Sequence, residues 1–250
     1  MGLRAGQPFY PDVDDTAVVV MALEQLRMLE EAFKHQAIVR ATQWIVTMQC
    51  RAGGWAADDV DNDSDWLNFL PYSDLKSSID PNTVYVTAHV LEMVGHQDPQ
   101  QPAIGRKRCD RAIDYLLEEQ EPEGCWFGLW GVNYIYGTSG ALSALVLIAP
   151  HRVRDAIQRG STWLVGIQNT DGGWGETCRS YEDQALKGKG VSTASQTAWA
   201  LTGLMAARDV TDEYTHESLA RGVDYLLGSQ LENGCWEESE FTGTGFTKHM

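Results

Sequence analysis

Four segments of the 250-residue chain share one pattern, a Gln, three residues, a Gly, one residue and a Trp: Gln49 to Trp55, Gln120 to Trp126, Gln168 to Trp174 and Gln230 to Trp236. A spacing that recurs in this way marks a repeat protein, in which one supersecondary unit buries its apolar face only against its neighbours. Each Gln closes an amphipathic run. Trp44 and Ile45, then Ile113, Leu116 and Leu117, then Trp163, Leu164 and Ile167, then Val223, Leu226 and Leu227 fall at helical spacing. Gly53, Gly124, Gly172 and Gly234 follow where a helix C-terminus takes a residue at positive φ, so each Trp is expected to emerge from the turn and fold back on its own helix.

Between these runs lie segments of another character, 16–26, 84–94, 139–149 and 192–206, which are richer in Ala, Val and Thr. A helix apolar on most faces is buried, whereas an amphipathic one faces water on one side. Inner and outer helices therefore alternate. The fold class this predicts is all-α, an α/α-toroid in which inner and outer helices form part of a barrel, with an open α-solenoid as the competing shape. Four hairpins make an incomplete ring with an exposed apolar edge. No Pro/Gly/Ser-rich linker cuts the chain, so residues 1–250 are read as one domain.

Charge narrows the partners. The chain carries 19 Lys and Arg against 35 Asp and Glu, a formal net charge of −16, with no basic stripe to offset it. Such a surface repels phosphate backbones, and nucleic acid is not expected as a partner. The longest apolar stretches, 17–23 and 141–149, fall short of the roughly 20 residues that span a bilayer. No apolar segment with a cleavage site follows the first Met. Five scattered cysteines, none in a C-x-x-C pair, argue against a disulfide framework and a cysteine zinc site. A cytoplasmic location is expected.

Before the first apolar helix stands Asp12-Val13-Asp14-Asp15, three carboxylates in four positions. Asp at a helix start is ordinarily a cap, stabilised by free N–H groups and the dipole. One carboxylate suffices for that. A second and third in the same turn repel one another, and burial together with that repulsion raises a carboxyl pKa until the group keeps its proton near neutral pH. Such an acid can donate to a weak base.

The repeated Q-x3-G-x-W and the D-x-D-D resemble the signatures of the squalene–hopene cyclases. The similarity extends through Gly131 to Thr138, Asp171 to Glu176 with Arg179 to Asp183, Ser195 to Leu201, and Thr242 to Phe246. The resemblance implies an acid-initiated cyclisation, an isomerase reaction in which Asp14 protonates a terminal alkene of squalene or a related linear polyprenoid. It implies no metal and no cofactor. Asp12 and Asp15 would flank and tune the donor, and His89 would pair with it. Trp130, Tyr136 and Phe246 match positions of the aromatic lining, where ring quadrupoles stabilise a travelling cation while excluding water. The bare residues leave both roles open, since a lone His or an aromatic is usually core.

Family membership also implies an N-terminal half that completes the barrel, contact with a membrane face, and that half or a second copy as protein partner. Two positions depart from the pattern. Asp58 stands where the family has an aromatic that stabilises an early cation, and Tyr85 stands where it has an Asp near the His. These departures motivate an alternative, a non-catalytic polyprenoid-binding or assembly fragment. An α/α-barrel glycosidase is a third reading, disfavoured because its two carboxyls must face each other across a bond.

Overall fold

The computed structural model describes residues 11–26, 31–64, 79–97, 103–211 and 213–243. These hold eight α-helices, α1 (Val13–Gln25), α2 (Glu31–Thr47), α3 (Val84–Gln97), α4 (Arg106–Glu118), α5 (Tyr134–Ile148), α6 (Arg154–Gly166), α7 (Ala194–Ala207) and α8 (Glu213–Ser229). Short 3-10 turns at Cys178–Tyr181 and Gln184–Leu186 precede α7. No β-strand occurs among the described residues, where isolated bridges such as Gln49 with Trp55 close turns. None of the described helices is long and apolar enough to cross a membrane.

The chain packs as two compact units, Met1–Tyr115 and Leu116–Met250, with the boundary inside α4. In the first, α1 lies against both α2 and α3. In the second, α5 and α7 pair, α6 packs on both, and α8 packs on α7 and α6. The alternation expected from the sequence holds for α3 and α5, which bury most of their residues, while α2 and α6 bury a stripe and leave the rest wet. It does not hold for α1, expected as a buried inner helix, which buries only Val13, Ala17 and Val20 and leaves Val18 and Val19 exposed.

The repeats are the joints between these helices. Each Trp does fold back on its own outer helix: the indole Nε1 of Trp55, Trp126, Trp174 and Trp236 donates to the carbonyl of Ile45, Leu116, Leu164 and Leu226 at 2.8, 2.6, 2.8 and 2.9 Å. The glycines sit at φ +104°, +103°, +91° and +83°. Their place differs from the expected helix cap. Each closes a tight turn beyond the helix end, as when Gly53 N–H donates to Cys50 O while Cys50 N–H donates to Gly54 O.

The reason for glycine is the next outer helix. A Cβ on Gly53, Gly124 or Gly172 would lie 2.5, 2.7 or 2.6 Å from the carbonyl oxygen of Arg111, Arg159 or Arg221. Beside that contact, the Gln carboxamide bonds its own turn and also the following helix, Gln49 to Arg108 O at 3.0 Å, Gln120 to Ala156 O at 2.9 Å and Gln168 to Ser218 O at 2.9 Å. The arginines answer: Arg111 donates to Cys50 O and Arg51 O, Arg221 to Asn169 O, and Arg159 to Gln120 Oε1. Inner helices join through threonine. The backbone N–H of Trp55, Trp126 and Trp174 donates to Thr87, Thr138 and Thr197 Oγ1 at 2.9, 3.0 and 2.9 Å. One repeat therefore ties its own outer helix, the next inner helix and the next outer helix.

Gly172→Ala is expected to destabilise the protein by more than the roughly 1–2 kcal/mol of a left-handed residue, because the methyl group also meets an immovable backbone carbonyl. Thermal unfolding followed by circular dichroism measures it. A loss no greater than that of an exposed helical Gly→Ala change would mean the close approach carries no constraint.

Candidate active site

The acid motif sits where α1 begins. Asp12 is the N-cap, its Oδ1 accepting from Asp15 N–H at 2.7 Å, and Val13 N–H donates to Ala57 O at 2.8 Å, which pins the helix start to the loop after the first clasp. That loop is itself gathered by a carboxylate. Asp80 accepts from the N–H groups of Ala57, Asp58 and Asp59 at 3.3, 2.6 and 2.8 Å. Capping and crowding thus occur together: Asp12 caps, and Asp14, Asp15 and Asp58 surround it.

His89, on α3, brings Nδ1 to 2.5 Å from Asp14 Oδ1. The Asp14 side chain is 28% exposed and that of His89 15%, so the pair lies at the edge of the first unit. Tyr85 stands one turn earlier on α3 and packs its ring beside the imidazole, centroids 4.2 Å apart and planes tilted by 57°. An aromatic ring thus lies beside His89 at the position where the resemblance led to a carboxylate. From Asp14 and Asp15 the outer face of α1 continues through exposed Val18, Val19, Ala22 and Leu26, an apolar strip with the acids at one end.

The carboxyl whose pKa the surroundings push up is Asp12, to about 6 from an ordinary 3.8. Burial is the main cause; the Asp15 N–H bond opposes it, and repulsion from Asp14, Asp15 and Asp58 adds to it. Asp58 is raised as well, by burial and then by Asp80, Asp59 and Asp15. The folded chain therefore holds the Asp12 proton more tightly than the unfolded chain. Stability from this group is complete below about 3.8 and is lost as pH rises through about 6. Asp12→Asn keeps a capping oxygen and removes the charge. Its melting temperature is expected to exceed that of the parent by a few degrees at pH 7 and to match it below pH 4. A variant less stable than the parent at pH 7 would show that the charge is not the burden.

The aromatic positions lie in the second unit, and Phe246 falls outside the described residues. Trp130 is 43% exposed and stands in a turn where Leu129 adopts φ +68° and the Tyr181 hydroxyl donates to Leu129 O and Gly131 O at 2.5 and 3.1 Å. Tyr136, on α5, meets Trp199 of α7 edge-on at 4.7 Å. What holds this corner was missed in the sequence: Glu176, 2% exposed, accepts the N–H groups of Asn133 and Ile135 at 3.2 and 3.0 Å and so caps α5 from outside. Gln196 bonds Val132 O and Glu176 O, both at 3.0 Å, closing the corner against α7. Burial pushes the Glu176 pKa up, and the amide bonds hold it back. Buried polar types in consecutive motifs were the available signal.

The family model of the squalene-hopene cyclase C-terminal domain matches residues 4–250. The chain is 53% identical to dammaradiene synthase of Dryopteris crassirhizoma, with 97% of the chain and 38% of the relative aligned. It is 48% identical to squalene–hopene cyclase of Alicyclobacillus acidocaldarius, with 95% and 37% aligned. It thus spans a little over a third of the length of each of these two relatives. Among solved structures, ent-copalyl diphosphate synthase of Streptomyces platensis superposes with a TM-score of 0.66 at 23% identity over 94% of this chain and 38% of that one. A type II terpene cyclase of Scytonema, solved with geranylgeranyl dihydroxybenzoate as substrate, gives 0.65 at 19% identity over 94% and 60%. These structures share its fold, the all-α class of alternating helices read from the repeats. The repeats, the acid cluster and the match along nearly the whole sequence lead to one conclusion: the chain belongs to the squalene–hopene cyclase family of isomerases, of which it is the C-terminal domain.

Proposed function

We propose that this domain starts the cyclisation of a linear polyprenoid of the squalene type by protonating its terminal double bond, with Asp14 as proton donor. The observation that carries the reading is the Asp14–His89 contact at 2.5 Å within a crowd of carboxylates. His89 Nδ1–H donating to one oxygen stabilises the carboxylate that remains when the other gives up its proton. Asp12, with a pKa near 6, is protonated in roughly one molecule of ten at pH 7 and lies next to Asp14 as a source from which the donor is recharged. The apolar strip of Val18, Val19, Ala22 and Leu26 offers hydrocarbon a surface that leads up to the acids.

The chemistry balances without another reagent. A proton adds to the less substituted alkene carbon, the tertiary cation is attacked by the next double bond, and loss of a proton at the end returns the acid and leaves an isomer of the substrate. By family resemblance Trp130 and Tyr136 are positions of an aromatic lining, and aromatic rings favour cationic carbon. Since squalene resides in bilayers, the protein works at the membrane face of the cytoplasm. The test is incubation with squalene in detergent followed by mass spectrometry. A product of unchanged mass with fewer double bonds is expected. Unchanged squalene, even with the remaining part of a full-length relative supplied as a second chain, would reject the reading and favour a binding role.

A further inference from the structure

We infer that residues 238–242 form a strap, latched by Glu238, that sets the turn carrying Trp130. Glu238 is thereby a positioning residue for that ring. The role given to the ring rests on the reading of the domain as a cyclase; the strap itself does not. The turn needs outside support. Leu129 holds φ +68°, a left-handed backbone that leucine adopts at a cost and keeps only where its surroundings over-determine it. Trp130 follows it and is 43% exposed, so burial of the ring does little to hold the turn.

Support comes from two sides. On one lie residues 176–196: the Tyr181 hydroxyl donates to Leu129 O and Gly131 O, the Gln196 carboxamide donates to Val132 O, and Glu176 accepts from Asn133 N–H. On the other lies the strap. Val132 N–H, in the midst of these bonds, donates to Thr242 O at 2.9 Å.

From Trp236 to residue 243 the chain forms neither helix nor strand, so polar ties fix its course. Glu238 straddles the start of α7, Oε1 accepting from Ser195 N–H at 2.5 Å and Oε2 from the Ser195 hydroxyl at 2.9 Å. Ser195 stands in the first turn of α7, where backbone N–H groups lack helical partners and the dipole favours an anion. Farther along, the Cys178 thiol donates to Phe241 O at 3.2 Å, and Thr242 O then takes Val132 N–H. A thiol is a weak donor and the amide bond is neutral, whereas the carboxylate makes two charge-assisted bonds. The strongest tie is therefore the one at Glu238. With it released, Thr242 O leaves Val132, the Cys178 thiol loses its acceptor, and the left-handed turn keeps only the support from residues 176–196. Trp130 then takes up several orientations while Asp14 is untouched.

The test alkylates the native 250-residue chain with iodoacetamide and follows each cysteine by peptide mass spectrometry, with deuterium uptake of residues 129–133 read in parallel. In Glu238→Ala the Cys178 rate is expected to rise about tenfold, the factor that loss of a hydrogen bond to a charged group gives, and exchange at Val132 to quicken with it. Glu238→Gln keeps an acceptor without the charge and is expected to fall between. Exposed Cys235 keeps its rate as the reference, and Glu237→Gln leaves every rate as in the parent. Exchange in α5 and α6 is expected to stay unchanged; a rise there would mark general loss of structure and overturn the inference. With squalene as probe, Glu238→Gln is expected to shift the proportions of products by ring number with KM kept, because a displaced ring alters where the cation is quenched. Unchanged Cys178 and Val132 rates in Glu238→Ala would overturn the latch whatever the turnover. Raised rates with an unaltered product profile would overturn the positioning role. A parent that converts no squalene would reject the cyclase reading and with it the role of the ring, and the thiol and amide rates would still decide the strap.

Discussion

Asp14→Asn is expected to lower the rate of squalene cyclisation by about 10²–10⁴-fold, the range over which a positioned general acid acts, with little change in KM. Asparagine is the same size and still offers an oxygen to His89 Nδ1–H at the 2.5 Å contact, so the start of α1 and its packing on α3 are retained. What is lost is the transferable proton. Asp12→Asn separates the donor from its supply: if Asp12 recharges Asp14, the rate falls by a smaller factor and its dependence on pH near 6 disappears. The measurement is product formation by gas chromatography across pH 4–8, with melting temperatures confirming that both variants fold. Undiminished turnover in Asp14→Asn combined with near-complete loss in Asp12→Asn would move the donor to the capping carboxyl, the one that burial has raised.

How much of this was written in the sequence depends on the range of the interaction. Helix alternation and the folding-back of the Trp clasps were legible because they are local: a 3.6-residue period and an indole reaching a carbonyl ten residues earlier leave a repeat in the chain. The acid cluster was legible for the same reason, three carboxylates in one turn exceeding what a cap needs. Long-range partners were not. Nothing near Asp12 reveals that Asp80 would draw the 57–59 loop, and Asp58 with it, against the same helix end. The role of glycine was misplaced because positive φ is a local property, whereas the approach of Arg111, Arg159 and Arg221 comes from helices 58, 35 and 49 positions later. Glu176 as the cap of α5 is likewise a tertiary bond across 41 and 43 positions.

Removing one clasp tryptophan is expected to have the largest effect on stability, and the size should depend on which one. Trp126 is fully buried, donates Nε1–H to Leu116 O, receives Thr138 at its backbone N–H and rests on Gly160. Trp126→Ala leaves a cavity between α4, α5 and α6 and is expected to cost about 3–5 kcal/mol, a fall in melting temperature of roughly 6–20 °C. Trp236 makes the same bond to its own helix, to Leu226 O, but meets no following helix among the described residues and is 39% exposed. Trp236→Ala should therefore cost no more than about 1.5 kcal/mol in dilute protein. Denaturant unfolding at low concentration measures both, and equal losses would mean that the clasp stabilises only its own helix and that the joint adds nothing.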